Sequence, residues 1–273
     1  MKLKIGISPC PNDTFIFESL YQQSASEKGL AFDFVFADVE ELNRMAAQGL
    51  LDIVKVSYAN YFRLTKEYAL LPAGGAMGKG VGPLLIGLPG FDETKISGST
   101  IAIPGWHTTA RFLLQYAYPE ATQLKEYIFS GVEAAVLNHE VDAGVIIHEN
   151  RFTYQQKGLI CYKDLGTWWE SQTQLPIPLG AIAIRRSISV SIQKEVNEWI
   201  RSSIQTSKKL YPALSNFITS HATEMEEDVM RRHIELYVNE YSMDPGVEGR
   251  KAIAYMSHFF EPLENPTFYS DAF

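Results

Sequence analysis

Ala143-Gly144-Val145-Ile146-Ile147-His148-Glu149-Asn150-Arg151 is the stretch on which the reading of this chain turns. A short apolar run, β-branched at Val145, Ile146 and Ile147, stops abruptly at an imidazole, a carboxylate, an amide and a guanidinium. Such a run reads as a strand covered on both faces, the kind found in parallel sheets. In open α/β sheets ligands sit beyond the carboxyl ends of the strands. His148 is the first polar side chain past that end, and an imidazole with an ordinary pKa of about 6.5 suits a general base at neutral pH.

The rest of the chain is compatible with a large soluble α/β protein. Its 273 residues are 46% apolar and 21% charged, ordinary globular values, and the length points to two lobes or one large domain. A net charge of −8 supplies no basic stripe to replace phosphate counterions, which argues against nucleic acid. A small anion remains compatible with a few local donors. Cys10 and Cys161 are too few for a disulfide scaffold and read as reduced thiols. No signal-peptide run follows Met1-Lys2-Leu3-Lys4, and no segment has the ~20 apolar residues of a membrane span. The expected location is the cytoplasm.

Outward from the opening stretch, the pattern is strand–helix alternation. Leu3–Ser8, Phe32–Phe36 and Asp52–Ser57 read as strands, with Val39–Gln48 helical and Gly49 at its C-cap. Asp13 or Thr14 is a candidate cap for a helix starting at Thr14, and an aromatic helix is expected near Tyr58–Tyr68. Gly74-Gly75-Ala76-Met77-Gly78-Lys79-Gly80 lacks the first glycine and the hydroxyl residue of a P-loop, and reads as a flexible connection. Gly82–Leu88 is a strand. A second series follows: strands at Ile101–Ile103, Glu126–Phe129 and Ala143–Ile147, and helices near Ala110–Tyr116 and Val132–Asn138. Tyr162–Gln174 reads as a polar connection and Leu179–Ile184 as a returning strand. Ile192, Val196, Trp199, Ile200 and Ile204 mark one apolar helix stripe, with further helices over Met225–Tyr241 and Val247–Phe260. The chain thus crosses twice between two α/β lobes, residues 1–90 with 178–273 and residues 91–177. Each lobe is expected to hold a mainly parallel sheet flanked by helices, with two crossover strands as a hinge and a ligand cleft between the lobes.

Three further groups carry chemistry. Lys55 and Ser57 alternate onto one face at a strand end, and a lysine within an apolar strand needs a partner if buried or an edge position if not. Thr108 and Thr109 open a helix after Pro104-Gly105, where amides, dipole and hydroxyls suit a carboxylate or phosphate. Only one hydroxyl is needed for N-capping, so the tandem pair leans toward a ligand. Glu149 and Arg151 either orient the His148 ring or pair with each other. Cys10 lies beside a helix start but has no histidine near in sequence, and is not read as a nucleophile. His107, His139, His221, His233 and His258 lack metal-ligand spacing, so no metal is invoked.

Ser8-Pro9-Cys10-Pro11-Asn12-Asp13-Thr14-Phe15-Ile16-Phe17, Lys55-Val56-Ser57, Pro104-Gly105 before Thr108-Thr109-Ala110, and Ile147-His148-Glu149 with Arg151-Phe152-Thr153-Tyr154 resemble the 1,4-dihydroxy-6-naphthoate synthase family of the futalosine route to menaquinone. The likeness runs the length of the chain in order. It implies a two-lobed periplasmic-binding-protein-like (type II) fold used as a lyase, and no motif in the sequence requires a metal or organic cofactor. The implied reaction converts cyclic dehypoxanthinylfutalosine to 1,4-dihydroxy-6-naphthoate with release of dihydroxyacetone. It further implies His148 as proton acceptor, and Lys55, Val56, Ser57, Thr108 and Thr109 as substrate-binding positions for an aromatic carboxylate. A homodimer is compatible with the sequence. Trp106-His107 departs from what the family leads one to expect, and neither residue receives a role. The rivals are chorismate dehydratase of the same pathway and a non-catalytic solute-binding protein for a small carboxylate.

Overall fold

In the computed structural model, which describes residues 2–23, 30–222, 226–260 and 268, apolar alternation becomes two separate sheets. The strands, in chain order, are β1 (Lys2–Ile7), β2 (Ala31–Phe36), β3 (Ile53–Ser57), β4 (Tyr68–Gly78), β5 (Leu84–Gly87), β6 (Ile101–Ile103), β7 (Leu124–Glu126), β8 (Ala143–Ile146), β9 (Ile160–Asp164) and β10 (Ile177–Arg185). One sheet has the order β2-β1-β3-β10-β4 and the other β7-β6-β8-β5-β9. The chain divides accordingly into a first unit, Met1–Gly78 with Pro178–Phe273, and a second, Lys79–Ile177.

In the first unit β1 runs parallel to β2 and β3, as the strand–helix alternation requires, while β10 returns antiparallel to β3. Leu3, Ile5 and Ile7 point to one face with Ile182 and Ile184, and meet Val196, Ile200 and Ile204 of the helix Val190–Leu210. Ile192 and Trp199 pack at the margin of that core, so the sequence stripe is the buried one. In the second unit β6 is parallel to β7 and β8, whereas β5 is antiparallel to both β8 and β9. Val132, Ala135 and Val136 of the helix Val132–Leu137 cover one face of β8 together with Ala102 and Ile146.

Several expectations give way here. Both sheets are mixed rather than wholly parallel: β1, β2 and β3 run one way with β10 reversed beside β3, and β6, β7 and β8 run one way with β5 reversed between β8 and β9. The first crossing lies at residue 78 rather than 90, because Leu84–Gly87 hydrogen-bonds in the second sheet. Gly74–Gly78 is not a loop but the end of an eleven-residue buried strand, and the helix expected over Tyr58–Tyr68 is only Tyr58–Tyr61. Gly74 (φ +88°) and Gly75 permit close packing there, with a built Cβ at 2.7 Å from Ile182 and 3.3 Å from the Gly180 carbonyl. Glycines that mark turns in a sequence scan are here packing glycines. Tyr162–Gln174 holds the end of β9 and a helix, Leu165–Thr173, capped by Asp164. The β7 strand sits two residues earlier than read, and the first helix begins at Pro11, not Thr14. Met225, where a helix start was read, lies outside the described residues; the helix described is Glu227–Tyr237. Among the described residues no helix is long and apolar enough to cross a membrane.

One close approach fixes the second unit. A Cβ on Gly82 would meet the Gly166 backbone at 2.2 Å, whereas one on Gly98 meets nothing within 4 Å. Gly82→Ala is expected to destabilise by about 1–3 kcal/mol, the usual range for overpacking, and Gly98→Ala to stay within about 0.5 kcal/mol of the unsubstituted protein. Urea unfolding of the two variants checks this, and equal midpoints would contradict it.

Candidate active site

Each unit carries a polar edge where neighbouring parallel strands end. In the first unit β1 and β3 run side by side; Ser8–Asp13 follow β1, and Lys55–Ser57 are the last residues of β3. Lys55 is 6% exposed and Asp13 1%, and the lysine Nζ donates to Asp13 Oδ1 at 2.7 Å and to the Gly74 carbonyl at 3.1 Å. Lys55 is thus neither at an edge strand nor in solvent; β3 is a central strand and Asp13 is the counter-ion. Asp13 does not cap the first helix. Its Oδ2 accepts from the Ser8 hydroxyl at 2.7 Å and the Ser8 backbone at 3.2 Å, and its Oδ1 also accepts from Asn12 Nδ2 at 2.9 Å. Ser57 is held just as closely: Asn43 Nδ2 donates to its Oγ at 3.1 Å, and its backbone N–H donates to Asn43 Oδ1 at 3.0 Å. Val56 between them is fully buried opposite Ala181, so its side chain faces the other way.

In the second unit the edge belongs to β6 and β8, which run parallel with Ala102 opposite Gly144. Past β6 the turn carries Gly105 (φ +150°), and Thr108 caps the helix Thr109–Ala117. Thr108 Oγ1 donates to the Gly105 carbonyl at 2.8 Å and accepts from the Arg111 backbone at 3.2 Å. Its hydroxyl is therefore committed to the cap, and Thr109, also buried, stands in the first turn. Past β8 comes His148, half-buried, with its backbone in the left-handed region at φ +57°. Few residues other than glycine adopt that conformation, although histidine is among the commoner ones, and at a strand end it marks a constrained site. Phe129 meets the imidazole edge to face, with centroids 5.1 Å apart and planes at 68°.

Glu149 and Arg151 do not pair as one reading had it. Arg151 donates to the Gly82 carbonyl at 2.9 Å and reaches Asp164 at 3.4 Å. Glu149 turns inward, where Glu133 Oε2 accepts from both Asn150 Nδ2 and Lys157 Nζ at 2.6 Å. Burial raises the affinity of the Glu149 carboxyl for its proton, and the Glu133 charge adds to this. A hydrogen bond from its own backbone and the Lys157 charge pull the other way.

Comparison with known proteins then bears on identity. The family model described as menaquinone biosynthesis matches residues 3–261. The chain belongs to the menaquinone biosynthesis family. Two curated relatives, from Thermus thermophilus and Streptomyces coelicolor, are each 40% identical, over 92% of this chain and 91% and 90% of theirs. Both are named 1,4-dihydroxy-6-naphthoate synthase. Among solved structures, an Archaeoglobus fulgidus protein matches with a TM-score of 0.86 at 31% identity, covering 95% of this chain and 97% of its own. An alkanesulfonate-binding protein from Xanthomonas axonopodis matches with a TM-score of 0.69 at 12% identity, covering 99% and 97%. The likeness to binding proteins is one of fold alone, as expected for a periplasmic-binding-protein-like architecture, while the sequence is shared with enzymes.

Within this menaquinone biosynthesis chain, the residues that sequence reasoning missed are the supporting ones. Asp13 had a signal, because a buried lysine requires an anion and Asp13 follows the neighbouring strand. Asn43 had none: a fully buried amide inside the helix Val39–Ala47 looks, in a sequence, like any polar helix residue.

Two outcomes follow from these arrangements. Asp13→Asn leaves an ammonium buried without its anion and is expected to cost about 3–5 kcal/mol; adding Lys55→Met should restore much of it in equilibrium unfolding, and simple additivity would contradict the pairing. For Glu149 the folded state binds its proton more tightly than the unfolded chain, so stability is lost as pH rises through the raised pKa and is retained below the unfolded value. Glu149→Gln should therefore melt higher than the parent at about pH 8, with the gain vanishing by about pH 4. A gain that is largest in acid would show the sign to be wrong.

Proposed function

We propose that this protein is a lyase that converts cyclic dehypoxanthinylfutalosine to 1,4-dihydroxy-6-naphthoate with release of dihydroxyacetone, and that His148 is its general base. The observation that carries the reading is the 40% identity, over nine-tenths of the chain, to relatives bearing the synthase name. It is supported by the order of groups at the strand ends, where an imidazole and a helix start leave from neighbouring parallel strands of one sheet.

The chemistry asks for little else. Releasing a three-carbon ketone breaks a carbon–carbon bond, so a proton must be taken from the substrate and the bond's electron pair held until the carbon is reprotonated. His148 takes that proton at a ring nitrogen and can return it, leaving the sum of atoms and electrons unchanged. The first turn of the helix Thr109–Ala117, with Thr109 and the capped Thr108, offers N–H groups and the positive end of the dipole to the substrate carboxylate. Ser57, whose Oγ accepts from Asn43, keeps its own O–H to donate to developing negative charge. Lys55 serves the same strand end from a buried position, its charge matched by Asp13. A small aromatic carboxylate is thus the partner class, and residues Lys55, Val56, Ser57, Thr108 and Thr109 its binding positions. The work of the protein, on this reading, is done without leaving water for a membrane or nucleic acid.

His148→Asn keeps the size and a hydrogen-bonding amide but removes the base. We expect kcat to fall by ~10²-fold or more, as for loss of a general base, while ligand affinity measured by calorimetry changes by less than about threefold. Wild-type kcat in that variant would overturn the assignment; an affinity change without a loss of turnover would point to a binding role.

A further inference from the structure

Glu149 is a carboxyl group that the reaction as described does not use. Its Oε2 is fully buried and has no hydrogen-bond donor among the described residues. A carboxyl kept inside a fold for structural reasons normally takes the nearest cation or amide. Here both are taken by its neighbour: Lys157 Nζ and Asn150 Nδ2 each donate to Glu133 Oε2 at 2.6 Å. What lies beside Glu149 instead is the imidazole, with a ring nitrogen of His148 and a carboxyl oxygen of Glu149 within 4.8 Å. The left-handed backbone at His148 lets the chain turn from β8 into the short helix Asn150–Thr153 within three residues, which keeps the two side chains together. Phe129, edge-on to the ring, limits where the imidazole can go.

We propose that Glu149 is the positioning and charge-compensating partner of His148, its carboxylate stabilising the imidazolium that forms when the ring accepts the substrate's proton. The inference rests on His148 being the base. The step itself is a single proton transfer: a substrate bond to hydrogen breaks, the proton binds the ring nitrogen, and the electron pair stays with the substrate. Across a distance of this size in a poorly hydrated site, a carboxylate acts on an imidazolium through space without a direct hydrogen bond. The other charged groups of this unit that face Glu149 are Glu133 and Lys157, and they are bonded to each other, so their fields largely cancel there. Arg151, two residues on, is turned to Asp164 and the Gly82 carbonyl. The compensation is therefore specific to Glu149, and it needs no change in the fold.

The test is the titration of His148 in the resting enzyme, followed by NMR of its ring C–H and assigned by its disappearance in His148→Gln. In Glu149→Gln the midpoint should fall by about one pH unit or more, and the acid limb of kcat/KM should move with it while KM changes little. Glu149→Asp, with a shorter reach but the same charge, should fall between the two, and its folding is checked by the same spectra. A His148 midpoint unmoved in both variants overturns the inference, as does a loss of activity that appears only in KM. Turnover that survives His148→Gln would remove the base and this partner together. Turnover lost in His148→Gln with an unmoved titration in Glu149→Gln removes the partner alone.

Discussion

A strand covered on both faces can present a side chain to a ligand only where it ends, and that constraint governs the two halves of this chain. In β8 every residue from Ala143 to Ile146 is buried, and Gly144 leaves no room for a side chain, since a Cβ there would stand 2.5 Å from Val132. The helix Val132–Leu137 can therefore lie directly on the strand. Chemistry is displaced to the strand's end, where His148 emerges. The same holds in β3, where Ile53 to Ser57 are all buried and the polar groups gather at the last residues.

The two edges solve the problem of polar groups near a core in different ways. At β3 the charges are neutralised, although Asn12 Oδ1 is left buried without a donor among the described residues. Lys55 finds Asp13, Asp13 is held by Ser8 and Asn12, and Asn43 holds Ser57 by both ends of its amide. Such a network is rigid, because removing any member strands another in a medium of low dielectric. At β8 the accounting is deliberately incomplete. Glu133 Oε2 accepts from Lys157 and Asn150, but its Oε1, like Oε2 of Glu149, is buried with no donor among the described residues. Buried polar groups left so are uncommon in folded proteins and concentrate where chemistry needs them.

How much of this could be read from the sequence follows from the range of each interaction. The β8 run and the His148 that ends it are local facts of order, and so is the Thr108-Thr109 helix start; both are legible in nine residues or fewer. Lys55 announced a need for a partner without naming it, since Asp13 lies 42 positions away. The glycine-rich β4 reads as a loop because a packing glycine and a turn glycine look alike until Ile182 and Gly180 are brought against them. The antiparallel returns of β5 and β10 are not legible for a related reason: alternation fixes a strand's faces but not its direction. The family likeness added what no local pattern could, the reaction, and identity of 40% to named synthases now stands behind it.

The central claim is the reaction itself, and a direct measurement bears on it. Purified protein is incubated with cyclic dehypoxanthinylfutalosine and, separately, with chorismate, and products are quantified by mass spectrometry. The account expects 1,4-dihydroxy-6-naphthoate and dihydroxyacetone to appear in equal amounts from the first and chorismate to remain intact. Chorismate consumed while the futalosine derivative persists, or neither substrate consumed, would contradict it.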